Sequence, residues 1–167
     1  MKCTACGQDM ACNRGEHHYT ECGLDNIYLV NIQICNCISC GEKIVCVPKM
    51  PLLHTCIAKS LLKKTSRLNG KEIRFLRKNI GLKSTQLSKY LAVDISTLSR
   101  WEHDGQRISL PNDFLLRVVY ANIKGFPIEE TRQMIENRFE QISTQTTPPS
   151  PVHLDINTLT DSCTLPA

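Results

Sequence analysis

Long apolar segments are missing from this sequence. No apolar run approaches the roughly 18 residues of a membrane-spanning helix, so a membrane partner is not expected. The first ten residues, MKCTACGQDM, lack the apolar core of a secretory signal peptide. We therefore expect a reducing, cytoplasmic compartment, where cysteine patterns are more often metal-binding or catalytic than disulfide frameworks.

Cysteine, in contrast, is abundant and unevenly distributed. The chain has 167 residues and 10 cysteines, and all but two of these cysteines precede residue 50. A chain of this length holds one ordinary domain or two small ones with a tail. Small domains often require a metal, a disulfide or a partner subunit, because they bury a smaller share of their surface.

A Cys-x-x-Cys-Gly motif occurs twice, as CTACGQ at 3–8 and CISCGE at 37–42. Each such turn can place two thiolates on one zinc ion, and two turns complete a tetrahedral shell. Glycine after the second cysteine permits a positive-φ turn that directs amide N–H groups at the sulfurs. The motifs predict a structural Zn²⁺ site formed by Cys3, Cys6, Cys37 and Cys40, with the intervening residues forming a hairpin.

Other interpretations of the cysteines remain open at this point. A thioredoxin-type redox pair would need a βαβ context, and catalytic zinc would need an open coordination position, which four cysteines do not leave. Alternative ligands are available at Cys12, Cys22, Cys35, His17 and His18. We interpret these cysteines as small buried apolar residues or loop residues.

Positive charge is concentrated in the middle of the chain. The formal charge of the whole chain is +4, but residues 59–107 contain twelve Lys and Arg against four Asp and Glu. This segment therefore carries a net +8. A block of this kind favours polyanions such as nucleic acid, with a solvated surface as the simpler alternative.

The pattern of apolar residues predicts an α+β protein in several parts. Strands are predicted at 28–35 and 43–48 in a small zinc-binding β module spanning 1–50. A connecting helix (52–64) and linker fill 51–70, and an all-α domain at 71–125 contains helices at 71–80, 84–91, 95–103 and 111–123. A C-terminal helix is predicted within 126–143, and the Thr-, Ser- and Pro-rich residues 144–167 are predicted to be a flexible, disordered tail.

Two of these helices are spaced for a close crossing. Ser88 is small where the helices approach, Ala92 ends the first helix, and Leu98 anchors the second. A left-handed Ala92 would cost on the order of 1 kcal/mol relative to glycine. We expect the Asp94 carboxylate to cap the second helix and Ile95 to turn inward with Leu98.

The second helix then presents a polar outer face. Its exposed residues would be Ser96, Thr97, Ser99 and Arg100, a set suited to a DNA major groove, where Arg binds guanine bidentately. Lys83, Ser84 and Lys89 on the preceding helix would reach phosphates. The simpler alternative for Arg100 is an ion pair with Asp104. Trp101 is expected to pack internally, and Glu102 to pair with Arg77 or Arg74.

The segment IRFLRKNIGLKSTQLSKYLAVDISTLSRWEHDG (73–105) resembles the Xre/Cro-type helix-turn-helix. The chain to about residue 125 resembles the MqsA/YgiT-type family, which joins a Cys-x-x-Cys zinc domain to such a helix-turn-helix. The resemblance implies zinc ligation by Cys3, Cys6, Cys37 and Cys40, a structural pair of Arg77 with Glu102, and DNA reading by the Arg100 helix in a homodimer.

This sequence departs from the family pattern at three positions. Ser84 stands where Xre domains usually carry a phosphate-contacting Gln, and Ala92 stands where Gly is usual. Ser96 occupies a position where the antitoxin branch has a base-reading Asn. The target sequence therefore does not carry over from the family. Toxin binding does not carry over either, since many proteins of this shape are stand-alone regulators.

Together these features predict a zinc-containing, sequence-specific regulator of transcription rather than an enzyme. We expect a cytoplasmic, nucleoid-associated homodimer, acting as a repressor on double-stranded DNA. An antitoxin whose zinc domain neutralises a ribonuclease toxin is the alternative. An enzymatic centre ranks last, because no open metal position and no base oriented toward a nucleophile is evident.

Overall fold

A computed structural model describes residues 1–127, 129–133, 136 and 150–159. The chain divides into two units, one comprising Met1–Ile57 with Pro149–Ala167 and the other Ala58–Pro148. The first unit contains a β-sheet and a cluster of cysteines, and the second is helical. The expected mixture of a strand-rich N-terminal part followed by helices is confirmed.

The sheet of the first unit is organised around one long strand. β1 (Met10–His18) pairs antiparallel with the central β2 (Ile27–Cys37), which gives the predicted hairpin. β3 (Lys43–Cys46) pairs antiparallel with the C-terminal half of β2, and β4 (Val152–Asp155) pairs parallel with its N-terminal half. Both edges of β2 are therefore covered.

A bulge divides β2 into these two halves. Gly15 is opposite Ile32 and His17 is opposite Leu29, so β2 carries one more residue than β1 at this point. Asn31 lies in the bulge with a φ of 58°, a left-handed conformation that asparagine tolerates better than most residues. The bulge keeps Ile32 and Leu29 buried on either side of it.

The prediction of a disordered tail is wrong for residues 150–159. β4 joins the sheet, and a 3-10 turn follows it at Ile156–Thr158. Leu154 and Leu159 are buried. The composition of this segment gave no signal because its stability comes from pairing with a distant strand. The other residues predicted for the tail lie outside the described residues.

Within the described residues, five helices with assigned bounds lie between β3 and β4 in the chain, and their bounds are within two residues of those predicted. These are α1 (Met50–Lys63), α2 (Gly70–Asn79), α3 (Ser84–Tyr90), α4 (Ile95–Glu102) and α5 (Leu110–Ile123). Residues 129–133 and 136 are also helical, Phe126 and Pro127 are not, and the other residues of the helix predicted within 126–143 lie outside the described residues. The division between the two units falls within α1, at residues 57 and 58.

A buried arginine organises the end of α1. Arg117 on α5 forms an ion pair with Asp113, 3.1 Å away, and Asp113 accepts a hydrogen bond from the Leu68 amide at 2.8 Å. The guanidinium also donates to the carbonyls of Leu61, Leu62, Lys64 and Ser66. Two of these carbonyls, those of Leu61 and Leu62, belong to the last turn of α1, where helix carbonyls lack i+4 amide donors. Burial lowers the pKa of Arg117, and the negative charge of Asp113 offsets part of this shift.

Candidate functional site

Four cysteines from two distant loops meet in the first unit. The Sγ atoms of Cys3, Cys6, Cys37 and Cys40 all lie within 4.8 Å of one another. Those of Cys3 and Cys40 are 3.5 Å apart, as are those of Cys6 and Cys37. Four sulfurs bound tetrahedrally at about 2.3 Å from one ion are about 3.8 Å apart. The cluster, called the four-cysteine cage below, has the size and donor set to hold a metal ion.

The two loops of the cage are built alike. In the first, the Cys3 amide donates to the Gln8 carbonyl at 2.8 Å and the Gly7 amide donates to the Cys3 carbonyl at 2.9 Å. The second repeats this pattern with the same distances, using Cys37, Glu42 and Gly41. Gly7 and Gly41 have φ values of 74° and 76°, as predicted from their place in the motif.

Backbone amides reach the sulfurs of the cage. Hydrogen bonding from the Cys40 amide lowers the pKa of the Cys37 thiol to about 7. The Glu42 amide acts in the same direction on Cys40, but the neighbouring thiols outweigh it and raise the pKa of Cys40 to about 12. Zinc binds cysteine as the thiolate, so metal binding at these cysteines would release protons.

Two cysteines of the hairpin, one on β1 and one on β2, have a different role from the one expected. Cys12 and Cys35 form a disulfide, so their interpretation as small apolar or loop residues is wrong. The strand register places Cys12 directly opposite Cys35, with a Cα–Cα distance of 4.0 Å. Register between two strands is a long-range property that spacing within each strand does not reveal. Cys35 remains fully buried, packed with Cys37 and Met10.

The other alternative ligands are engaged away from the cage. Cys22 lies 3.6 Å from the Tyr19 carbonyl, and burial raises the pKa of its thiol. His17 contacts the Glu21 carboxylate, and His18 contacts the Asp25 carbonyl. Within the described residues, the four-cysteine cage is the only group of three or more His, Cys, Asp or Glu side chains that could hold an ion.

A second surface of interest is the outer face of α4. Ser96, Ser99 and Arg100 are exposed and Thr97 is half-buried, as the sequence suggested. The expectation that Ile95 turns inward is wrong, because 49% of its surface is exposed. Ile95 is the first residue of α4 and lies at the margin of the face on which Leu98, Trp101 and Glu102 are buried.

The predicted phosphate-contacting residues lie on α3 and at its start. Lys83 and Lys89 are exposed, and Ser84, the first residue of α3, is half-buried. The Lys83 amide donates to Gln86 Oε1 at 2.8 Å. These cations and the exposed face of α4 lie on consecutive helices.

The turn between α3 and α4 has the features that close crossing requires. Ser88 and Leu98 are buried, and Ala92 adopts a left-handed φ of 51°. Asp94 is the N-cap of α4, but the expected side-chain cap is absent: its backbone carbonyl, not its carboxylate, accepts from the Thr97 amide at 3.0 Å.

Glu102 fixes α4 against α2. Its carboxylate accepts two hydrogen bonds from Arg77, through Nε and, at 2.8 Å, through Nη2. Hydrogen bonding to Glu102 raises the pKa of Arg77. Arg74 also lies within 3.8 Å of the same carboxylate. The contacts are those expected for Glu102, and Trp101 is buried beside it, as expected.

The simpler alternative for Arg100 is not observed. The Asp104 carboxylate instead accepts a hydrogen bond from the Gly70 amide at 2.7 Å. Gly70 packs so closely on the carbonyl of Trp101 that an added Cβ would lie 2.5 Å from that oxygen. Within the described part of the chain, Arg100 makes no side-chain ion pair, so its guanidinium is available to a ligand.

Among the described residues, no helix has both the length and the apolar character needed to cross a membrane. Comparisons of the chain with protein-family profiles, with curated proteins and with solved structures found no match in any of the three.

Proposed function

We propose that this chain is a zinc-containing, sequence-specific DNA-binding regulator that acts as a homodimeric repressor. The exposed face of α4, with Ser96, Ser99 and an Arg100 that has no ion-pair partner among the described residues, is the observation that carries the proposal. α3 and α4, joined by the tight turn at Ala92, would form a helix-turn-helix.

In this proposal α4 enters the major groove. Arg100 would bind O6 and N7 of a guanine, and the short hydroxyls of α4 would allow the helix to approach base edges closely. Lys83 and Lys89 would contact phosphates, which fixes the orientation of α3 on the duplex without reading sequence. The ion pair of Glu102 with Arg77 supports this role by holding α4 in place.

The four-cysteine cage would hold Zn²⁺ as a structural ion. Four thiolates satisfy the tetrahedral preference of zinc and leave no position for water or substrate. The bound ion would offset the negative charge of the four thiolates and would stabilise both motif loops. It supplies no catalytic chemistry in this proposal.

A homodimer would impose symmetry on the operator. Two recognition helices related by a two-fold axis would favour a palindrome whose half-sites are about 34 Å, or a multiple of that, apart. A footprint with a single asymmetric contact would contradict the dimeric arrangement.

The proposal is tested by separating sequence reading from phosphate contact. Preferred duplexes are first selected from a random library with the full-length protein. Arg100→Ala should then lose about 1–3 kcal/mol on the selected site and relax the preference for it, whereas Lys83→Ala should weaken selected and random duplex about equally. Lys124→Ala, which removes an exposed cation at the end of α5, serves as the control. If Arg100→Ala and Lys83→Ala both bind as the unaltered protein does, the proposed interface is wrong.

A further inference from the structure

Residues 150–159 occupy the edge of the sheet as a bound peptide would. β4 adds to β2 in parallel, with Val152 opposite Ile27 and Leu154 opposite Leu29. The Val152 amide donates to the Asn26 carbonyl at 2.8 Å. This is strand addition, in which main-chain hydrogen bonds supply affinity whatever the side chains are.

The hairpin supplies the edge for this segment. β3 pairs only with Gln33–Asn36, so the Ile27–Val30 edge would present unpaired N–H and C=O groups without β4. The bulge at Asn31 separates the two halves of this edge. Asn31 is therefore the boundary between the part that β3 covers and the part that the C-terminal segment covers.

Three polar side chains of the hairpin bind the segment specifically. Asn26 Nδ2 donates to the Ser150 carbonyl at 2.7 Å, and Asn31 Nδ2 donates to Asp155 Oδ2 at 2.7 Å. Arg14 Nη1 donates to Asn157 Oδ1 at 2.8 Å and also to the Asn31 carbonyl. These contacts lie at the two ends of the segment and set its register.

Apolar and aromatic contacts complete the binding. Leu154 and Leu159 are each only 4% exposed. On the polar face, the Tyr28 ring stacks between His18 and His153, with centroid distances of 4.6 and 5.1 Å. The segment thus combines paired backbone, two apolar anchors and specific polar contacts, which together distinguish one extended sequence from another.

We propose that this edge of β2, with Arg14, Asn26 and Asn31, is a strand-binding groove, and that residues 150–159 are its tethered ligand. The segment follows β3 by more than a hundred positions, so it reaches the groove as a separate ligand rather than as part of a local hairpin. Another strand can enter only after this segment leaves. The inference is independent of DNA binding, since all of its contacts lie in the first unit.

The test uses the full-length chain and a fluorescent peptide of residues 150–159. Leu154→Asp in the chain places a charge in a buried site and should release the tethered segment. This variant should bind one peptide saturably, whereas the unaltered chain, whose groove is filled, should take up none. A peptide in which Asp155 and Asn157 are both replaced by Ala should bind about ten-fold more weakly or worse, because it loses its charge-assisted and amide contacts.

A second variant that releases the segment controls for misfolding of the Leu154→Asp chain. Asp155→Ala with Asn157→Ala in the chain removes only surface contacts of the segment and should also admit the unaltered peptide. Arg14→Ala added to either released chain should weaken peptide binding. The inference is overturned if neither released chain binds the peptide, or if the unaltered chain binds it as tightly as they do.

Discussion

The Sγ atoms of Cys3 and Cys40 lie 3.5 Å apart, although 37 positions separate the two residues. The β1–β2 hairpin brings them together, because Met10 is paired with Cys37 at its base. Among the described residues, no disulfide joins the two motif loops directly. A metal ion in the four-cysteine cage would connect the ends of the hairpin.

We expect Cys37→Ser to abolish stoichiometric zinc binding, because it removes one of four ligands from a closed shell and metal affinity depends on the full set. Elemental analysis of protein purified under reducing conditions should give one zinc ion per unaltered chain.

Cys46→Ser is the matched control for the zinc measurement, since Cys46 is a free thiol on β3 outside the cage. It should retain the metal. Equal zinc content in Cys37→Ser and Cys46→Ser would contradict a site formed by the four motif cysteines.

Ala92→Gly should stabilise the protein by about 1 kcal/mol, because the left-handed φ of 51° is costly for alanine and free for glycine. Ala92 is exposed, so no packing is lost. Urea unfolding measures the change. Ser99→Gly, within α4, should act in the opposite direction because glycine weakens a helix interior, and stabilisation by both would contradict the assignment.

Arg117→Met should destabilise the helical unit by about 3–5 kcal/mol, because it leaves the buried Asp113 carboxylate and several carbonyls without this donor. Thermal or urea unfolding followed by circular dichroism measures the effect. Arg117→Lys should recover little of the lost stability, since one ammonium group cannot reproduce the several directed N–H donors of the planar guanidinium.

The control for Arg117 is Arg107→Met, which removes an exposed cation with the same change of side chain. Its effect should stay within about 0.5 kcal/mol, as is usual for surface positions. A comparably small effect of Arg117→Met would show that the buried network contributes little.

Ile95 should read thymine if α4 enters the major groove. Its exposed side chain on the first residue of α4 can contact the thymine 5-methyl group, the apolar feature of that groove. Replacing the contacted thymine of a selected duplex by uracil removes only this methyl and should cost about 1 kcal/mol.

Ile95→Ser provides the comparison for the uracil experiment. The variant should bind thymine and uracil duplexes equally, while the unaltered protein distinguishes them. If the unaltered protein binds a preferred sequence but is indifferent to uracil at every thymine, Ile95 does not read bases, although DNA binding itself stands.

The features that the sequence predicted well depend on local spacing. The doubled Cys-x-x-Cys-Gly motif fixes ligand type and turn geometry within six residues each, and the structure brings the four cysteines together. The bounds of α2 to α5 were predictable because apolar residues recur with the helical period. The turn at Ala92 followed from its spacing to Ser88 and Leu98, and the structure gives it a left-handed φ of 51°.

The features that were missed depend on pairing between distant residues. The Cys12–Cys35 disulfide needs the strand register, and β4 needs a strand more than a hundred positions away. The prediction that Ile95 turns inward was wrong because Ile95, the first residue of the short helix α4, lies at the margin of its buried face. A small rotation of the helix there decides whether the side chain is buried or exposed. Arg117 gave no signal, because its burial depends on the carbonyls that end α1.

The specificity ratio of the full-length protein for DNA tests the central claim most directly. Affinity is measured at one physiological salt concentration for a duplex selected by the protein and for a random duplex of equal length. Binding of the selected duplex at least about a thousand-fold tighter, with the ratio reduced by Arg100→Ala, is the predicted result. Equal affinity for the two duplexes, or no binding to either, would contradict the account.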